Sequence, residues 1–407
     1  MKNILIILLI SFTSLSMAGY VTIILNKGDM IINDNEQQLG GSEGSEIAKI
    51  PTNLQSKIIA SDGISNDLFG SSVAVSDEFS IVGASSDDSK KGAAYVYKNN
   101  GTEWVQVDKL TASDGVANDR FGFSIAMNAD TAIIGSLADD NWKGAAYIFK
   151  YNGSEWVQVA KLTASDGSSG NRFGRSVAIS GDIAIIGATS ANGYKGAAYV
   201  FKNNGSEWIQ VAKLTASDGV SNDMFGISVA INGNTAIVGI NRNAAYVFKN
   251  NGSEWVQVAK LTANDGSSSD MFGFSIAMVG DSVIFGAYGD DNNSGSAYVF
   301  ENNGSDWVQV AKLTASDGSG EHWFGYSVAT SGDVAVVGAY GDNNKKGAAY
   351  LFKNNGSEWV EEAKLTVSDG TSNDMFGISV AMSAETAIVG SSGDDSSKGS
   401  AYIFVPE

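Results

Sequence analysis

Residues 121–172 read FGFSIAMNADTAIIGSLADDNWKGAAYIFKYNGSEWVQVAKLTASDGSSGNR. This stretch contains four short runs that are rich in β-branched and aromatic residues and are separated by polar segments. Such runs are typical of β-strands, and Asn152-Gly153 is the dipeptide that a two-residue hairpin turn prefers. No run is long enough, or periodic enough at 3.6 residues, to favour a helix. The stretch therefore predicts four consecutive strands joined by short connections.

The same pattern occurs seven times along the chain. The dipeptide Phe-Gly marks each copy, and successive copies are 52 residues apart except for one interval of 47. The marker residues are Phe69, Phe121, Phe173, Phe225, Phe272, Phe324 and Phe376. A four-stranded unit of about 50 residues in several copies is typical of a β-propeller, in which each unit forms one blade. We therefore predict an all-β, seven-bladed β-propeller with four-stranded antiparallel blades.

The two ends of the repeat region predict how the ring closes. The last copy ends with its third strand, SAYIF at 400–404, and lacks the EWVQVAKLTASDG segment that follows this strand elsewhere. The counterpart lies at the other end, where residues 57–63 read KIIASDG ahead of the first Phe-Gly. This N-terminal strand is expected to complete the last blade, which removes two open sheet edges. We predict a propeller that spans 57–405.

The repeats resemble the FG-GAP family, whose best known members are the propellers of integrin α-subunits. The resemblance rests on Phe-Gly followed about 14 residues later by Gly-Ala, as in Phe69-Gly70 and Gly83-Ala84, and it covers 57–404. The chain has no Pro after Gly-Ala, and short turns such as 128–130 replace the family's calcium loop between the first two strands. The resemblance thus implies adhesion or ligand recognition, without the calcium role at those turns.

The N-terminal residues predict export. They begin with a basic residue, continue with an apolar stretch and place Ser-Met-Ala before Gly19, as a signal peptidase requires. We predict a signal peptide at 1–18, a mostly flexible leader at 19–56, and a protein that is extracellular, periplasmic or on the cell surface. The alternative is that the uncharged stretch 4–25 is retained as a membrane anchor, because its length suffices to cross a bilayer.

Composition excludes several classes of function. The chain has 407 residues, with no Cys, a single His and a formal charge of -19. Thiol chemistry, Cys-ligated metal sites and His-rich metal centres are therefore excluded. The negative charge disfavours nucleic acid and anionic membranes, which are bound by clustered Lys and Arg. We expect a monomer without a cofactor, calcium being the one candidate ion.

Residues that recur once per copy are predicted to be structural. The Phe of each Phe-Gly and the Trp of the fourth strand are expected to pack neighbouring blades. Five copies contain Asp-x-x-x-x-Asp, as in Asp62 and Asp67, and Asn171 and His322 replace the second Asp in the other two. Such a pair suits calcium binding or acid–base chemistry, but Asp and Asn also accept hydrogen bonds from loop N–H groups. We favour the second interpretation.

The loops between the second and third strands are the other candidate calcium sites. In four of them the fifth residue from the first Asp is Lys, as at Lys91 and Lys143, and an ammonium is a counter-charge rather than a ligand. Only Asp290, Asn292 and Ser294 follow the beginning of a calcium-binding loop, and the later acidic ligand is missing. These three residues are the metal candidate.

Six copies carry Asn-Gly-Ser or Asn-Gly-Thr at the turn between the third and fourth strands. In an exported eukaryotic chain these are N-glycosylation acceptors. The hairpin turn requires the same dipeptide, so both explanations of the motif stay open. The residues are Asn100, Asn152, Asn204, Asn251, Asn303 and Asn355.

The differences between copies predict where a partner binds. In a propeller, the loops from strand two to strand three and from strand four to strand one share a face. Here these loops are the longest and most variable, and loops on a rigid scaffold commonly carry recognition. We expect this face to bind an extracellular protein or a glycan. The copy-specific candidates are Arg120, Trp142, Arg172, Arg175, Tyr194, Tyr288, His322, Trp323 and Tyr340.

Two other functions stay open from sequence. One is a carbohydrate-active enzyme that uses loop carboxylates, together with His322, because two carboxylates suffice for glycoside hydrolysis. The other is a passive structural protein of the cell envelope. No catalytic set stands out from the repeated Asp background, and fold alone does not establish chemistry, so we expect no enzymatic activity.

Overall fold

The apolar runs of the repeats form the strands of seven four-stranded antiparallel sheets. This is a computed structural model, and it describes residues 52–405. The predicted signal peptide, the anchor alternative and nearly all of the predicted leader lie outside the described residues. Within the described part of the chain, no helix is long and apolar enough to cross a membrane.

Blades 1 to 4 follow one another along the chain. Blade 1 consists of β2 (Phe69–Val75), β3 (Phe79–Ala84), β4 (Ala93–Asn99) and β5 (Trp104–Leu110). Blade 2 consists of β6 (Phe121–Asn128), β7 (Thr131–Ser136), β8 (Ala145–Tyr151) and β9 (Trp156–Leu162). Blade 3 consists of β10 (Phe173–Ser180), β11 (Ile183–Ala188), β12 (Ala197–Asn203) and β13 (Trp208–Leu214). Blade 4 consists of β14 (Val229–Asn232), β15 (Thr235–Ile240), β16 (Ala244–Asn250) and β17 (Trp255–Leu261).

Blades 5 to 7 complete the ring, and blade 7 takes its fourth strand from the N-terminal side. Blade 5 consists of β18 (Ser275–Val279), β19 (Ser282–Ala287), β20 (Ser296–Asn302) and β21 (Trp307–Leu313). Blade 6 consists of β22 (Ser327–Thr330), β23 (Val334–Ala339), β24 (Ala348–Asn354) and β25 (Trp359–Leu365). Blade 7 consists of β26 (Phe376–Met382), β27 (Ala387–Ser391), β28 (Ser400–Val405) and β1 (Asn53–Ile58).

The first strands of neighbouring blades touch all the way around. Contacts run from β2 through β6, β10, β14, β18 and β22 to β26, and β26 in turn contacts β2. The first strands are therefore the inner strands of a closed ring, as the repeat number predicts.

Strand β1 closes the ring by antiparallel pairing with β28. The register runs from Asn53 opposite Val405 to Ile58 opposite Ala401, with a bulge after Leu54. Strand β5 has a bulge at the equivalent place in blade 1. The closure prediction is confirmed, but the predicted strand boundaries were wrong. The strand begins at Asn53, because 53–56 continue the backbone pairing although their side chains differ from those of the other copies, and it ends at Ile58.

The hydrophobic core lies between adjacent blades. Phe173 is fully buried and contacts the rings of Tyr199 and Phe201 at 5.6 and 6.0 Å. The same cluster includes Ile148 and Leu162 from blade 2. This confirms that the repeated Phe packs one blade on the next. The repeated Trp residues lie further out, where two of them are buried and four are half-buried.

Close approach between blades explains the repeated Gly of the second strand. A Cβ atom at Gly135 would overlap the carbonyl oxygen of Gly174 in the next blade. Any side chain at this position would push the two inner strands apart.

Six four-residue turns follow the second strands. In the first of them Asp88 and Ser89 have φ of 45° and 59°, so the segment is a tight left-handed turn rather than an α-helix. The turns are Asp87–Lys90, Asp139–Trp142, Ala191–Tyr194, Asp290–Asn293, Asp342–Lys345 and Asp394–Ser397.

Candidate functional site

The two sets of variable loops meet at one surface. The N–H of Arg172, in the loop that enters blade 3, donates to the carbonyl of Trp142 in the blade 2 turn at 2.8 Å. The N–H of Met224 donates to the carbonyl of Tyr194 at 3.1 Å one blade further on. We call the surface formed by these loops the loop face, and the opposite surface, formed by turns such as 152–155, the turn face.

Two arginines lie against one exposed tryptophan on the loop face. The guanidinium carbons of Arg120 and Arg172 lie 5.5 and 5.3 Å from the Trp142 ring centroid, within cation–π range. Trp142 is 39% exposed. Neither arginine forms an ion pair with a carboxylate of residues 52–405. The N–H groups of both guanidiniums have no anionic partner within the described part of the chain.

Blades 5 and 6 contribute an aromatic cluster. The ring of Tyr340 lies 4.8 Å from Trp323 and 4.5 Å from Tyr326. Tyr326 lies 5.5 Å from Tyr288 and 5.0 Å from Phe274, so that five rings form one continuous wall. The predicted site residues Tyr288, Trp323 and Tyr340 are thus brought together.

Arg175 lies near the start of β10, the inner strand of blade 3. Its guanidinium lies 5.0 Å from the ring centroid of Phe123 in blade 2, and burial lowers its pKa below the ordinary value for arginine. It also interacts electrostatically with Tyr326 of blade 6, whose pKa burial raises. Both residues lie at the same end of the inner strands, on opposite sides of the closed ring. Phe123, Arg175, Phe274 and Tyr326 each follow a Phe-Gly at the beginning of an inner strand. The inner strands surround the central channel of the propeller, and we call the site formed by these four residues the channel mouth.

The remaining two predicted residues are Tyr194 and His322. Tyr194 is 50% exposed and has no ring contact within residues 52–405. His322 lines a cleft of about 520 Å³ in the loops of blade 6. Its Nε2 lies 2.9 Å from Ser319 Oγ and 3.3 Å from Asp342 Oδ1. Because both partners meet the same ring nitrogen, this is not the arrangement of a Ser-His-Asp triad, in which they meet opposite nitrogens.

A repeated ion network binds the first Asp of each pair. In blade 1, Asp62 accepts hydrogen bonds from Lys109 Nζ at 2.7 Å and from Tyr95 OH at 2.8 Å. The same lysine lies 3.0 Å from Asp87, the first residue of the turn. The strand-four lysine, rather than the turn lysine Lys91, is therefore the counter-charge of the acidic turn. Equivalent Lys–Asp contacts of 2.5 to 2.7 Å occur in all seven blades.

This network shifts the pKa values of the side chains that it joins. The hydrogen bond from Lys109 holds the pKa of Asp62 below its ordinary value. Burial lowers the pKa of Lys109, but its bonds to Asp62 and Asp87 outweigh that effect and raise it. Each partner thus favours the charged form of the other, as expected for a satisfied structural ion pair.

The second Asp of each pair has a backbone role. Asp119 is buried, and its Oδ2 accepts the N–H of Val116 at 2.7 Å. Asp67, Asp223 and Asp270 accept the equivalent N–H at 2.6 Å. In the exceptional copies, Ser168 Oγ donates to Asn171, and Ser319 Oγ lies next to His322. The structural interpretation of these residues is confirmed.

The comparison with protein families agrees with this geometry. A family model described as FG-GAP repeat matches seven segments: 52–97, 104–149, 156–201, 208–253, 255–300, 307–352 and 359–404. The chain belongs to the FG-GAP repeat family. No curated protein is significantly similar to it. Seven matches and seven blades also agree with the resemblance of this FG-GAP chain to the integrin propeller.

The calcium candidate of this FG-GAP propeller is engaged with a lysine. Asp290 Oδ2 lies 2.8 Å from Lys312 Nζ and accepts hydrogen bonds from Ser296 and Tyr298. Burial raises the pKa of Asp290, but Lys312 and these hydroxyls outweigh it and lower the pKa. The structure brings no three acidic or His side chains of residues 52–405 together as a metal site. Calcium binding at Asp290, Asn292 and Ser294 stays a prediction.

The Asn of each glycosylation motif is part of an exposed turn on the turn face. Asn152 Oδ1 accepts the N–H groups of Ser154 and Glu155 at 2.9 and 3.0 Å. The same pattern recurs in the other five turns. Turn geometry therefore accounts for this Asn in the FG-GAP repeats, and glycosylation stays a prediction.

Sequence reasoning missed three residues of the channel mouth, Phe123, Phe274 and Tyr326. The sequence does distinguish these positions, because the residue after Phe-Gly is Ser or Ile in three repeats and aromatic or Arg in the other four. It also missed the strand-four lysine, although Lys recurs in the same place in all seven FG-GAP repeats.

Proposed function

We propose that this protein is an exported binding module that recognises an extracellular protein or a glycan through its loop face. An FG-GAP propeller is consistent with a binding or adhesion module. One observation supports the choice of face: the blade-specific arginines and aromatics collect there, whereas the repeated polar residues are bonded within the fold. Exposed aromatic and arginine side chains on a rigid scaffold are what binding hot spots commonly use.

The repeated acidic residues support binding rather than catalysis. Asp62 and its equivalents are held by lysine and tyrosine, and Asp119 and its equivalents are held by backbone N–H groups. A carboxylate that is fixed in this way is poorly placed to move a proton. We therefore propose a non-enzymatic role.

Replacing Trp142, Tyr194 and Trp323 together by Ala is expected to abolish binding while changing the melting temperature little. Trp142 and Tyr194 are exposed, and Trp323 is half-buried but belongs to none of the clusters between blades, so the three truncations leave the core intact. Hot-spot aromatics each cost about 2 kcal/mol or more of binding when truncated. The measurement is binding of the labelled protein to an array of printed glycans and extracellular-matrix proteins. A melting curve of each variant monitors folding.

The matched control is a triple variant of the turn face, Glu155→Ala, Glu207→Ala and Glu358→Ala, which should bind as the parent does. All three residues are exposed. Retained binding by the loop-face variant, or loss of binding by the turn-face variant alone, contradicts the proposal. A parent protein that binds no member of the array also counts against it.

A further inference from the structure

The channel mouth combines a partly buried cation with an aromatic wall. The guanidinium of Arg175 lies 5.0 Å from the Phe123 ring centroid, and Tyr326 occupies the equivalent position after the Phe-Gly of blade 6, at the same end of the ring of inner strands. Tyr326 continues into the wall formed with Tyr288 and Tyr340. None of these residues recurs in every blade, so the requirements of the repeat do not explain the combination.

The hydroxyls of this wall differ from those of the repeated tyrosines. Each of the seven repeated tyrosines donates to an aspartate, as Tyr147 does to Asp114 at 2.9 Å. The hydroxyls of Tyr288, Tyr326 and Tyr340 have no hydrogen-bond partner among residues 52–405. These three hydroxyl oxygens are accessible to solvent, because none of them is among the buried polar atoms that lack a hydrogen-bond partner. Three phenol groups are therefore free to bond a molecule in the mouth.

The charge of Arg175 is not matched by the described chain. No carboxylate of residues 52–405 pairs with it, although the whole chain carries 45 acidic residues. All four arginines of the chain lie on the loop face, and only Arg242 lies near a carboxylate, that of Asp223 at 3.6 Å. A partly buried guanidinium without an anion is costly, and a carboxylate ligand would supply the missing bidentate partner.

We propose that the channel mouth binds a carboxylated sugar, with its carboxylate on the Arg175 guanidinium, its ring face against the aromatic wall and its hydroxyls on the free phenols. This inference rests on the proposed function, since it names the ligand class of the same face. The two classes of carboxylated sugar that fit this description are uronates and sialates.

Charge favours a single acidic sugar over an acidic peptide. A run of carboxylates would meet the repulsion of a chain with formal charge -19, whereas one carboxylate needs only one guanidinium. A peptide would also bring backbone N–H donors that require acceptors. The mouth offers phenol hydroxyls and ring faces, which suit a ring with several hydroxyls and an apolar face.

Calorimetric titration of the purified protein tests the inference. The probes are galacturonate, its methyl ester as the neutral match, sialyllactose and a tri-glutamate peptide. We expect at least one carboxylated sugar to bind, and binding of its neutral match to be about tenfold weaker or more, as loss of a charge-assisted hydrogen bond implies. For sialyllactose the neutral match is lactose. Binding of only one acidic sugar identifies the source.

Substitutions distinguish the role of the Arg175 guanidinium from that of positive charge elsewhere on the protein. Arg175→Gln should weaken binding of the acidic sugar about tenfold or more, and Arg175→Lys should restore part of it, because lysine keeps the charge but not the planar fork. Tyr326→Phe should weaken it less, since only one hydroxyl is lost. Lys150→Gln on the turn face removes the same charge and should leave binding unchanged.

Equal binding of the neutral matches, unchanged binding by Arg175→Gln, or binding of the glutamate peptide alone overturns the inference. So does the failure of every probe to bind. The proposed function is judged separately, because a loop-face variant that loses array binding supports it even when no carboxylated sugar binds.

Discussion

Deleting residues 53–63 is expected to abolish the cooperative unfolding of the propeller. Strand β28 would lose its outer partner and become an open edge, and Ile58 and Ala60 would leave the cluster that contains Phe69. The deletion also removes Lys57, which lies 2.6 Å from Asp369 and 2.9 Å from Asp394, so two carboxylates of blade 7 would lose their counter-charge. Thermal unfolding followed by circular dichroism should show a single sharp transition in the parent and a broad or absent one in the variant.

The matched control for this deletion is removal of 33–46, a polar and Gly-rich segment that the sequence assigns to the leader. That variant should melt as the parent does. If the 53–63 deletion melts as sharply as the parent and at the same temperature, the closing role of β1 is wrong.

Phe173→Ala is expected to lower the free energy of unfolding by about 3 to 5 kcal/mol. Phe173 is fully buried between blades 2 and 3, and its removal leaves a cavity that the paired strands cannot easily close. Urea unfolding measures the loss. Val159→Ala, at a side chain that is 54% exposed, is the control and should change stability by at most about 0.5 kcal/mol. Equal effects of the two substitutions would mean that the repeated Phe does not hold neighbouring blades together.

The fold could be predicted from sequence because each blade is specified by its own repeat. The turns, the strands and the Phe-Gly all recur, and a ring follows from counting them. The start of β1 at Asn53 could not be predicted in this way, because residues 53–56 pair through their backbone and do not share the side chains of the repeat. Backbone pairing needs the opposite strand, which lies at the other end of the chain.

The site could be predicted only as a list of candidates. Loop position predicted that Arg120, Trp142 and Arg172 share one face. The contact of both guanidinium groups with the Trp142 ring could not be predicted, because it depends on how adjacent blades meet. The position of Arg175 and Tyr326 on opposite sides of one mouth depends on the closure of the ring of inner strands, which no local pattern encodes. The role of the acidic turns was also hidden, since Lys109 reaches Asp87 from a different strand.

The central claim is that seven blades close into a ring whose mouth brings blade 3 opposite blade 6. The chain has no Cys, so a variant with Arg175→Cys and Tyr326→Cys carries one unique pair of thiols. Treatment of the folded, dilute variant with a short bis-maleimide should cross-link these two residues within one molecule, as peptide mass spectrometry would show. The pair Arg175→Cys and Asn204→Cys, whose second thiol is in a turn on the turn face, should not be cross-linked. Absence of the link between 175 and 326, or a link formed only between molecules, would contradict the closed ring.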